Sequence, residues 1–260
     1  MLHPVQRQPD RHNRLDAVIR RGERLLVGYF PVGDPLVPVH LLDVYRTGGV
    51  DVVEIGIKAA DPFMDGPIVA ASMSRSTGHG MLGDASAALE RLRSVGLATL
   101  VFAYDTREFA TGLGHADWCG VDGLLGLPRP DAGRGAAIRA SAVASRVRIA
   151  EFVPYAFGEA DIERARQTDA YVMLQAADGK TGPRPMLDRG CEADVRRLRA
   201  EGVTAPIVLG FGVSSATHAR QAVELGADGV VVGSECVTKC LAGEAALEDF
   251  LGALRDALNG

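Results

Sequence analysis

Short apolar segments alternate with longer amphipathic segments along most of this chain. The apolar segments are continuous rather than alternating, which favours parallel strands that are buried on both faces. Residues 85–93, 192–199 and 218–225 have helical patterns of apolar positions. Strands that alternate with helices predict a series of βα units. Eight predicted strands cover residues 25–30, 52–57, 98–103, 123–127, 148–153, 170–175, 207–211 and 229–232.

A short motif recurs where predicted helices give way to strands. Gly-Val-Asp at residues 49–51 and 120–122, and Gly-Ala-Asp at residues 226–228, each end a helix and open a strand. Glycine is suited to the helix C-cap, and the repetition indicates equivalent units. Eight βα units in about 240 residues predict a (β/α)8 TIM barrel in a single domain. A doubly wound open sheet is the alternative, but its glycine-rich fingerprint normally follows the first strand, whereas the glycine-rich segments here follow late strands.

The amino-terminal residues differ in composition from the rest of the chain. The first 13 residues are polar and contain proline, so we expect a flexible tail over residues 1–13 and the barrel over residues 14–260. These first residues lack the apolar centre of an export signal. The sequence contains no run of about 18 apolar residues, so no membrane span is predicted. A cytoplasmic protein is therefore expected.

Composition and charge exclude several classes of protein. Hydrophobic residues make up 47% of the chain, which is too many for a disordered protein. The 28 Lys and Arg residues against 33 Asp and Glu give a net charge of −5, so no nucleic-acid footprint is expected. The four cysteines show neither a C-x-x-C motif nor zinc spacing, and we interpret them as incidental thiols.

Two acidic residues near the second predicted strand are candidates for chemistry. Glu54 lies in an apolar strand, on the face opposite Val53 and Ile55, so it is expected to point into the barrel. Burial there would raise its pKa and suit it to proton transfer, and a structural ion pair is the alternative interpretation. Asp65 lies in a turn-rich loop that can reach over the barrel mouth; the alternative is that it only builds a turn.

Two glycine-containing segments follow the seventh and eighth predicted strands. Gly210-Phe211-Gly212-Val213-Ser214 and Gly233-Ser234 each end a strand with small residues before a helix, where backbone N–H groups can hold a phosphate. Plain turn glycines are the alternative.

The segment at 178–185, Asp-Gly-Lys-Thr-Gly-Pro-Arg-Pro, predicts a lid after the sixth strand. Leu174 stands where a Walker loop requires its first glycine, so nucleotide binding is excluded.

Taken together, these segments resemble the tryptophan synthase alpha subunit family. The matching motifs are Gly28-Tyr29-Phe30-Pro31-Val32-Gly33-Asp34-Pro35, Glu54-Ile55-Gly56 followed by Asp61-Pro62 and Asp65-Gly66-Pro67, Gly179-Lys180-Thr181-Gly182, and the two phosphate-type loops. The resemblance covers about residues 25–240 and implies a barrel that cleaves indole-3-glycerol phosphate to indole and glyceraldehyde 3-phosphate by a retro-aldol reaction. It implies neither a metal nor an organic cofactor.

The resemblance also implies roles for individual residues. Glu54 matches the acid–base carboxylate, Asp65 the carboxylate that binds the indole N–H, and Thr181 the lid threonine that orders the second-strand loop. The residues expected to contact the substrate or its phosphate are Tyr29, Tyr104, Gly182, Gly212, Gly233 and Ser234.

Several positions depart from the family pattern. Lys58-Ala59-Ala60 replaces the usual Pro-aromatic-Ser in a loop that contacts the beta subunit in the family, which argues against a partnership with a beta subunit. Gly126-Leu127-Pro128-Arg129-Pro130 lacks the usual aspartate, and Phe102-Ala103-Tyr104-Asp105 replaces Tyr-x-Asn. A stand-alone paralogue that releases free indole fits these changes. The alternatives are an aldol lyase or isomerase acting on another phosphorylated substrate, and a non-catalytic regulatory subunit. Lys58 can bind an extra anionic group near the mouth, and a solvated surface lysine is the alternative interpretation.

Overall fold

Eight parallel strands close into a barrel in chain order, each pairing with the next and β1 with β8. The computed structural model describes residues 13–104, 106, 109–110, 118–127, 135–182 and 186–260. The predicted (β/α)8 TIM barrel is thereby confirmed. The strands are β1 (Leu25–Pro31), β2 (Val52–Gly56), β3 (Ala98–Tyr104), β4 (Gly123–Leu127), β5 (Arg148–Val153), β6 (Val172–Gln175), β7 (Ile207–Gly210) and β8 (Gly229–Val232).

Within the described ranges one helix precedes β1, helices lie between successive strands other than β3 and β4, and two helices follow β8. None of the helices in the described ranges is long and apolar enough to cross a membrane. The division into a tail over residues 1–13 and a barrel over 14–260 stays a prediction, because residues 1–12 lie outside the described part of the chain. The described α-helices are α1 (Arg14–Arg20), α2 (Leu42–Thr47), α3 (Pro67–Arg75), α4 (Ser86–Val95), α5 (Gly135–Ala144), α6 (Glu159–Arg166), α7 (Gly190–Ala200), α8 (Ala216–Glu224), α9 (Ser234–Ala242) and α10 (Glu244–Asn259).

Side chains along each strand alternate between two buried layers. Val52, Leu100 and Tyr171 belong to the layer that fills the barrel, whereas Val53 and Val101 pack outward against the helices. Both layers are apolar, which explains why the strands read as continuous hydrophobic runs instead of alternating ones. This parity places Glu54 inside the barrel, in line with Val52.

The repeated Gly-x-Asp motif has a structural explanation at the amino-terminal end of the barrel. Each aspartate accepts a hydrogen bond from a backbone N–H at the start of the preceding strand. Asp51 accepts from Leu26 at 2.9 Å, and Asp122 accepts from Thr99 at 2.9 Å. Asp228 repeats this contact with the N–H of a β7 residue at 2.7 Å. The motif therefore fixes neighbouring strands in register at the amino-terminal end of the barrel. In TIM barrels this end contributes to stability, whereas the opposite end carries the chemistry.

Five predicted strand ends differ from the structure. The first and third strands each extend one residue further, to Pro31 and Tyr104, and the second strand ends one residue earlier, at Gly56. The seventh strand ends at Gly210 and not at residue 211, because Phe211 takes a left-handed backbone conformation with a φ of 64°. The sixth strand begins at Val172 and not at residue 170, although the Tyr171 carbonyl still accepts a hydrogen bond from the N–H of Glu151 at 3.0 Å. The turn at Phe211 starts the loop that was expected to hold a phosphate.

Candidate active site

Glu54 is a buried carboxylate in the middle of β2. Its side chain is 2% exposed and accepts a short hydrogen bond from the hydroxyl of Tyr171 across the barrel. Burial raises the pKa of Glu54 to about 7; the Tyr171 hydrogen bond opposes this shift and the negative charge of Asp65 adds to it. The structure shows a phenol as its hydrogen-bond partner, rather than the arginine or lysine of the alternative interpretation. A carboxyl group with this pKa can give and take a proton near neutral pH.

Tyr171 is a residue of the site that the sequence alone did not indicate. It lies directly before β6, its ring is fully buried, and burial raises its pKa well above the usual value for tyrosine. The phenol therefore stays protonated and serves as a hydrogen-bond donor to Glu54. In the sequence, Tyr171 is a single hydroxyl-bearing residue in an apolar segment. It looks like an ordinary core tyrosine unless its partner across the barrel is known.

Asp65 lies in the loop between β2 and α3 and is also buried, at 5% exposure. Its Oδ2 accepts a hydrogen bond from Tyr104 Oη at 2.7 Å, and its Oδ1 accepts one from Thr181 Oγ1 at 3.2 Å. Burial raises the pKa of Asp65 to about 6, although both hydrogen bonds and the charge of Lys180 lower it. The carboxylate is thus held by two donors, one from β3 and one from the loop after β6.

Thr181 joins the lid to the loop that carries Asp65. The Gly66 N–H donates to Thr181 Oγ1 at 2.8 Å, and the Thr181 N–H donates to the Met64 carbonyl at 3.0 Å. A Cβ atom at Gly66 would lie 1.9 Å from the Thr181 carbonyl oxygen, so only glycine permits this approach. We call these contacts, formed by Met64, Asp65, Gly66 and Thr181, the lid latch.

The hinge of the lid is anchored by a residue that was not singled out from the sequence. Gln175, at the end of β6, donates from Nε2 to the Gly179 carbonyl at 2.8 Å and accepts from the Tyr155 N–H at 3.0 Å. Gly179 has a φ of 90°, which glycine adopts readily. Gly182 follows the latch, and the end of the predicted lid, residues 183–185, lies outside the described residues.

Aromatic rings line the mouth beside the two carboxylates. Phe63 packs on Tyr104 with ring centroids 5.0 Å apart, and Phe102 meets the edges of both Tyr104 and Tyr29 at 5.6 and 6.3 Å. Tyr29 and Tyr104 are both buried in the barrel layer. The rings stand edge-on or tilted to one another and form an apolar surface beside the carboxylates, which suits an aromatic ring that carries one N–H.

The loops expected to hold a phosphate lie at the ends of β7 and β8. Gly212 has a φ of 121°, and Gly233 precedes α9 as its N-cap. Ser234 is the first residue of α9 and is 9% exposed. A Cβ atom at Gly233 or Gly182 would meet no neighbouring atom within 4 Å. The space beside these glycines and the free N–H groups of a helix start fit an anion.

Lys58, a candidate anion contact, binds a backbone carbonyl in the structure. Its ammonium donates a hydrogen bond to the Ser76 carbonyl at 2.6 Å, and Ser76 Oγ in turn donates to the Val32 carbonyl at 2.7 Å. The lysine thus ties the loops after β1 and β2 to the end of α3. Residues 128–130 of the fourth-strand segment and Asp105 lie outside the described residues.

Within the described ranges no group of three or more His, Cys, Asp or Glu side chains is arranged to hold a metal. All four cysteines are free thiols, with Cys191, Cys236 and Cys240 buried and Cys119 exposed.

Comparisons with known proteins point to one family. The family model for the tryptophan synthase alpha chain matches residues 15–254. A tryptophan synthase alpha chain of Synechocystis is 29% identical over 259 residues, covering 94% of this chain and 97% of that protein. One from Xanthomonas campestris is 30% identical over 278 residues, covering 98% and 99%.

Solved structures agree with the sequence comparisons. A structure of Mycobacterium tuberculosis tryptophan synthase superposes with a TM-score of 0.76 at 26% identity, covering 96% of this chain and 99% of that one. The residues matched by the family model, 15–254, include Glu54, Asp65 and Thr181. The chain therefore belongs to the tryptophan synthase alpha chain family, whose members are lyases that cleave indole-3-glycerol phosphate to indole and glyceraldehyde 3-phosphate.

Proposed function

We propose that this chain cleaves indole-3-glycerol phosphate with Glu54 as the acid–base group and Asp65 as the anchor of the indole ring. The observation that carries the proposal is the pair of buried carboxylates. One of them is hydrogen-bonded to a phenol inside the barrel, and the other is held at the mouth by Tyr104 and Thr181. Two carboxylates in different environments can take different protonation states, which the reaction requires.

Glu54 moves the proton in both halves of the retro-aldol reaction. The protonated carboxyl group first donates its proton to the indole C3 atom, which leaves a carboxylate. That carboxylate then accepts the proton of the hydroxyl on the adjoining carbon. As the O–H electrons form the aldehyde C=O bond, the C–C bond breaks and its electrons return to the ring. A pKa of about 7 supports both steps, because neither form of Glu54 is scarce near neutral pH.

Asp65 stabilises the charge that appears on the ring. Protonation at C3 places positive charge on the ring nitrogen, and a carboxylate that accepts the ring N–H hydrogen bond lowers the energy of this state. Its hydrogen bonds to Tyr104 and Thr181 fix the carboxylate before substrate arrives, so little reorganisation is needed during the reaction. Thr181 would therefore act through the position of Asp65.

The phosphate end of the substrate is proposed to bind at the ends of β7 and β8. Gly182, Gly212 and Gly233 would allow the backbone to approach the phosphate, and Ser234 would add a hydroxyl and the amino end of α9. In a barrel of this kind the phosphate site commonly lies after the last two strands, at the same face as the catalytic loops.

Free indole released from indole-3-glycerol phosphate by the purified chain tests the proposal. Wild-type protein should release indole, and Glu54→Gln should lower kcat by at least about a hundredfold. Glu151→Gln is the matched control, since Glu151 is another buried strand glutamate but lies on the outer face of β5, paired with Arg139. Full turnover by Glu54→Gln would reject the acid–base assignment. A wild-type chain that released no indole, with or without a beta-type subunit, would reject the substrate.

We further propose that turnover does not depend on a beta subunit. Solved relatives of this chain are described as tryptophan synthase, and the altered loop at Lys58 argues against that partnership here. We expect a beta-type subunit to change kcat by less than about fivefold, below the usual range of allosteric coupling. A stable complex with a hundredfold activation would refute this. The cytoplasmic location stays a prediction.

A further inference from the structure

The hydroxyl of Tyr29 is a buried polar group without a partner in the described part of the chain. Tyr29 is 4% exposed, and its Oη makes no hydrogen bond to any described residue. A buried donor in this state is costly to the folded protein, typically by more than the gain from an ordinary hydrogen bond. Phenylalanine would fill the same space without that cost, so the retained hydroxyl calls for a functional explanation.

The ring of Tyr29 is fixed in position by its surroundings. It lies over the backbone of Gly56, where a Cβ atom would come within 1.9 Å of the hydroxyl, and its edge packs against Phe102. Its backbone is held by the pairing of β1 with β2 and β8, independently of the hydrogen bond that the Tyr29 carbonyl accepts from Tyr45 Oη at 2.6 Å. The hydroxyl is therefore held at the level of the carboxyl end of β2, on the inner face of the barrel.

The position of β1 in the closed barrel places Tyr29 between the two halves of the site. On one side Tyr29 is in register with Glu54 of β2. On the other side Gly28 is in register with Val232 of β8, so Tyr29 stands level with Gly233 at the start of the proposed phosphate loop. A substrate that extends from Ser234 to Glu54 must pass over Tyr29.

The proposed substrate carries one matching polar atom in that interval. Its three-carbon chain bears the phosphate at one end, the hydroxyl that Glu54 deprotonates at the other, and one further hydroxyl on the middle carbon. Burial, and after it the negative charges of Asp65 and Glu54, raise the pKa of Tyr29, so the phenol remains protonated and serves as a donor. The middle hydroxyl can accept that hydrogen bond.

We propose that Tyr29 is a specificity-determining residue whose hydroxyl donates a hydrogen bond to the middle hydroxyl of a glycerol phosphate chain. This inference rests on the proposed function only for the glycerol phosphate half of the substrate. It explains the missing partner, because the hydroxyl finds its acceptor on the ligand. A site built in this way discriminates against a ligand that lacks the hydroxyl.

Two fragments that differ by this one hydroxyl test the proposal. sn-Glycerol 3-phosphate and 1,3-propanediol monophosphate share the phosphate and the terminal hydroxyl, and only the first has the middle hydroxyl. The wild-type chain should bind glycerol 3-phosphate about tenfold more tightly in an NMR titration, as expected for one buried hydrogen bond. Tyr29→Phe should bind both fragments equally. With indole-3-glycerol phosphate, the variant should raise KM about tenfold and change kcat little.

Tyr45→Phe is the matched control, because Tyr45 is an equally buried phenol whose hydroxyl has a partner, the Tyr29 carbonyl. It should keep the wild-type preference between the two fragments but unfold at lower denaturant, whereas Tyr29→Phe should be at least as stable as wild type. The inference is overturned if wild type does not distinguish the fragments or binds neither, or if Tyr29→Phe keeps the preference. Indole release is measured separately, so a chain that prefers glycerol 3-phosphate but releases no indole would refute the proposed function and leave the Tyr29 assignment standing.

Discussion

Replacing Glu54 with glutamine should change how the stability of the protein depends on pH. The pKa of Glu54 is about 7 in the folded chain, against 4.5 for an exposed glutamate. Between these values the folded state holds a proton that the unfolded state has lost, so the free energy of unfolding falls as pH rises. The full difference corresponds to about 3 kcal/mol at alkaline pH.

The sign and size of this effect can be isolated by comparing the two proteins across pH. Glutamine does not titrate, so Glu54→Gln lacks this loss, while Asp65 and the other groups titrate in both proteins. The free energy of unfolding of the variant minus that of wild type should therefore rise by about 2.5 kcal/mol between about pH 5 and about pH 8.5. Any constant cost of placing the glutamine amide beside Tyr171 cancels in this difference.

Urea denaturation followed by circular dichroism at a series of pH values measures the quantity directly. Two parallel stability curves would refute the reasoning, because they would mean that Glu54 titrates at the same pH in the folded and unfolded chain. A difference that fell with pH would reverse the sign and show that the Tyr171 hydrogen bond outweighs burial.

Three further substitutions test other parts of the site. Tyr171→Phe removes the hydrogen bond that holds the pKa of Glu54 down, so the pH profile of kcat should move to higher pH, which a purely structural role would not do. Gly66→Ala forces a clash with the Thr181 carbonyl and should lower kcat by tenfold or more while far-UV circular dichroism stays unchanged; an unaltered kcat would show that the lid latch is not needed. Ser234→Asp should raise KM at least about tenfold by repelling the substrate phosphate, and an unchanged KM would place the phosphate elsewhere.

The barrel itself was predictable from the sequence because its signals are local and repeated. Continuous apolar runs, intervening amphipathic helices and the three Gly-x-Asp junctions recur at intervals, and each repeats the same contacts. The prediction was less accurate at strand ends, where one residue decides the outcome. Phe211 continues the apolar run of β7, and only its positive φ shows that the strand has already ended.

The candidate site was predictable only in part, since its contacts join residues that are far apart in the chain. Glu54 and Asp65 stood out as carboxylates in or beside an apolar strand. Tyr171 is 117 positions from Glu54, and nothing in its local sequence indicates that its hydroxyl crosses the barrel. Gln175 likewise closes an apolar strand, and its role at the lid hinge depends on the path of the following loop.

The two proton-bearing groups of the site lie at different positions along the barrel, Glu54 within β2 and Asp65 in the loop that follows it, and this difference explains how one site can hold two buried carboxylates. Glu54 is in the interior layer, where burial favours its protonated form. Asp65 is at the mouth, where burial raises its pKa to about 6, but the hydrogen bonds from Tyr104 and Thr181 and the charge of Lys180 lower it, so its ionised form is favoured more than that of Glu54. Near neutral pH one carboxylate is thus largely charged and the other is close to half-protonated, which avoids the full cost of two adjacent buried charges. The same difference supplies a proton donor for the ring carbon, Glu54, and a fixed negative charge for the ring nitrogen, Asp65. The arrangement that limits the cost of burying two carboxylates is therefore also the one that the retro-aldol reaction requires.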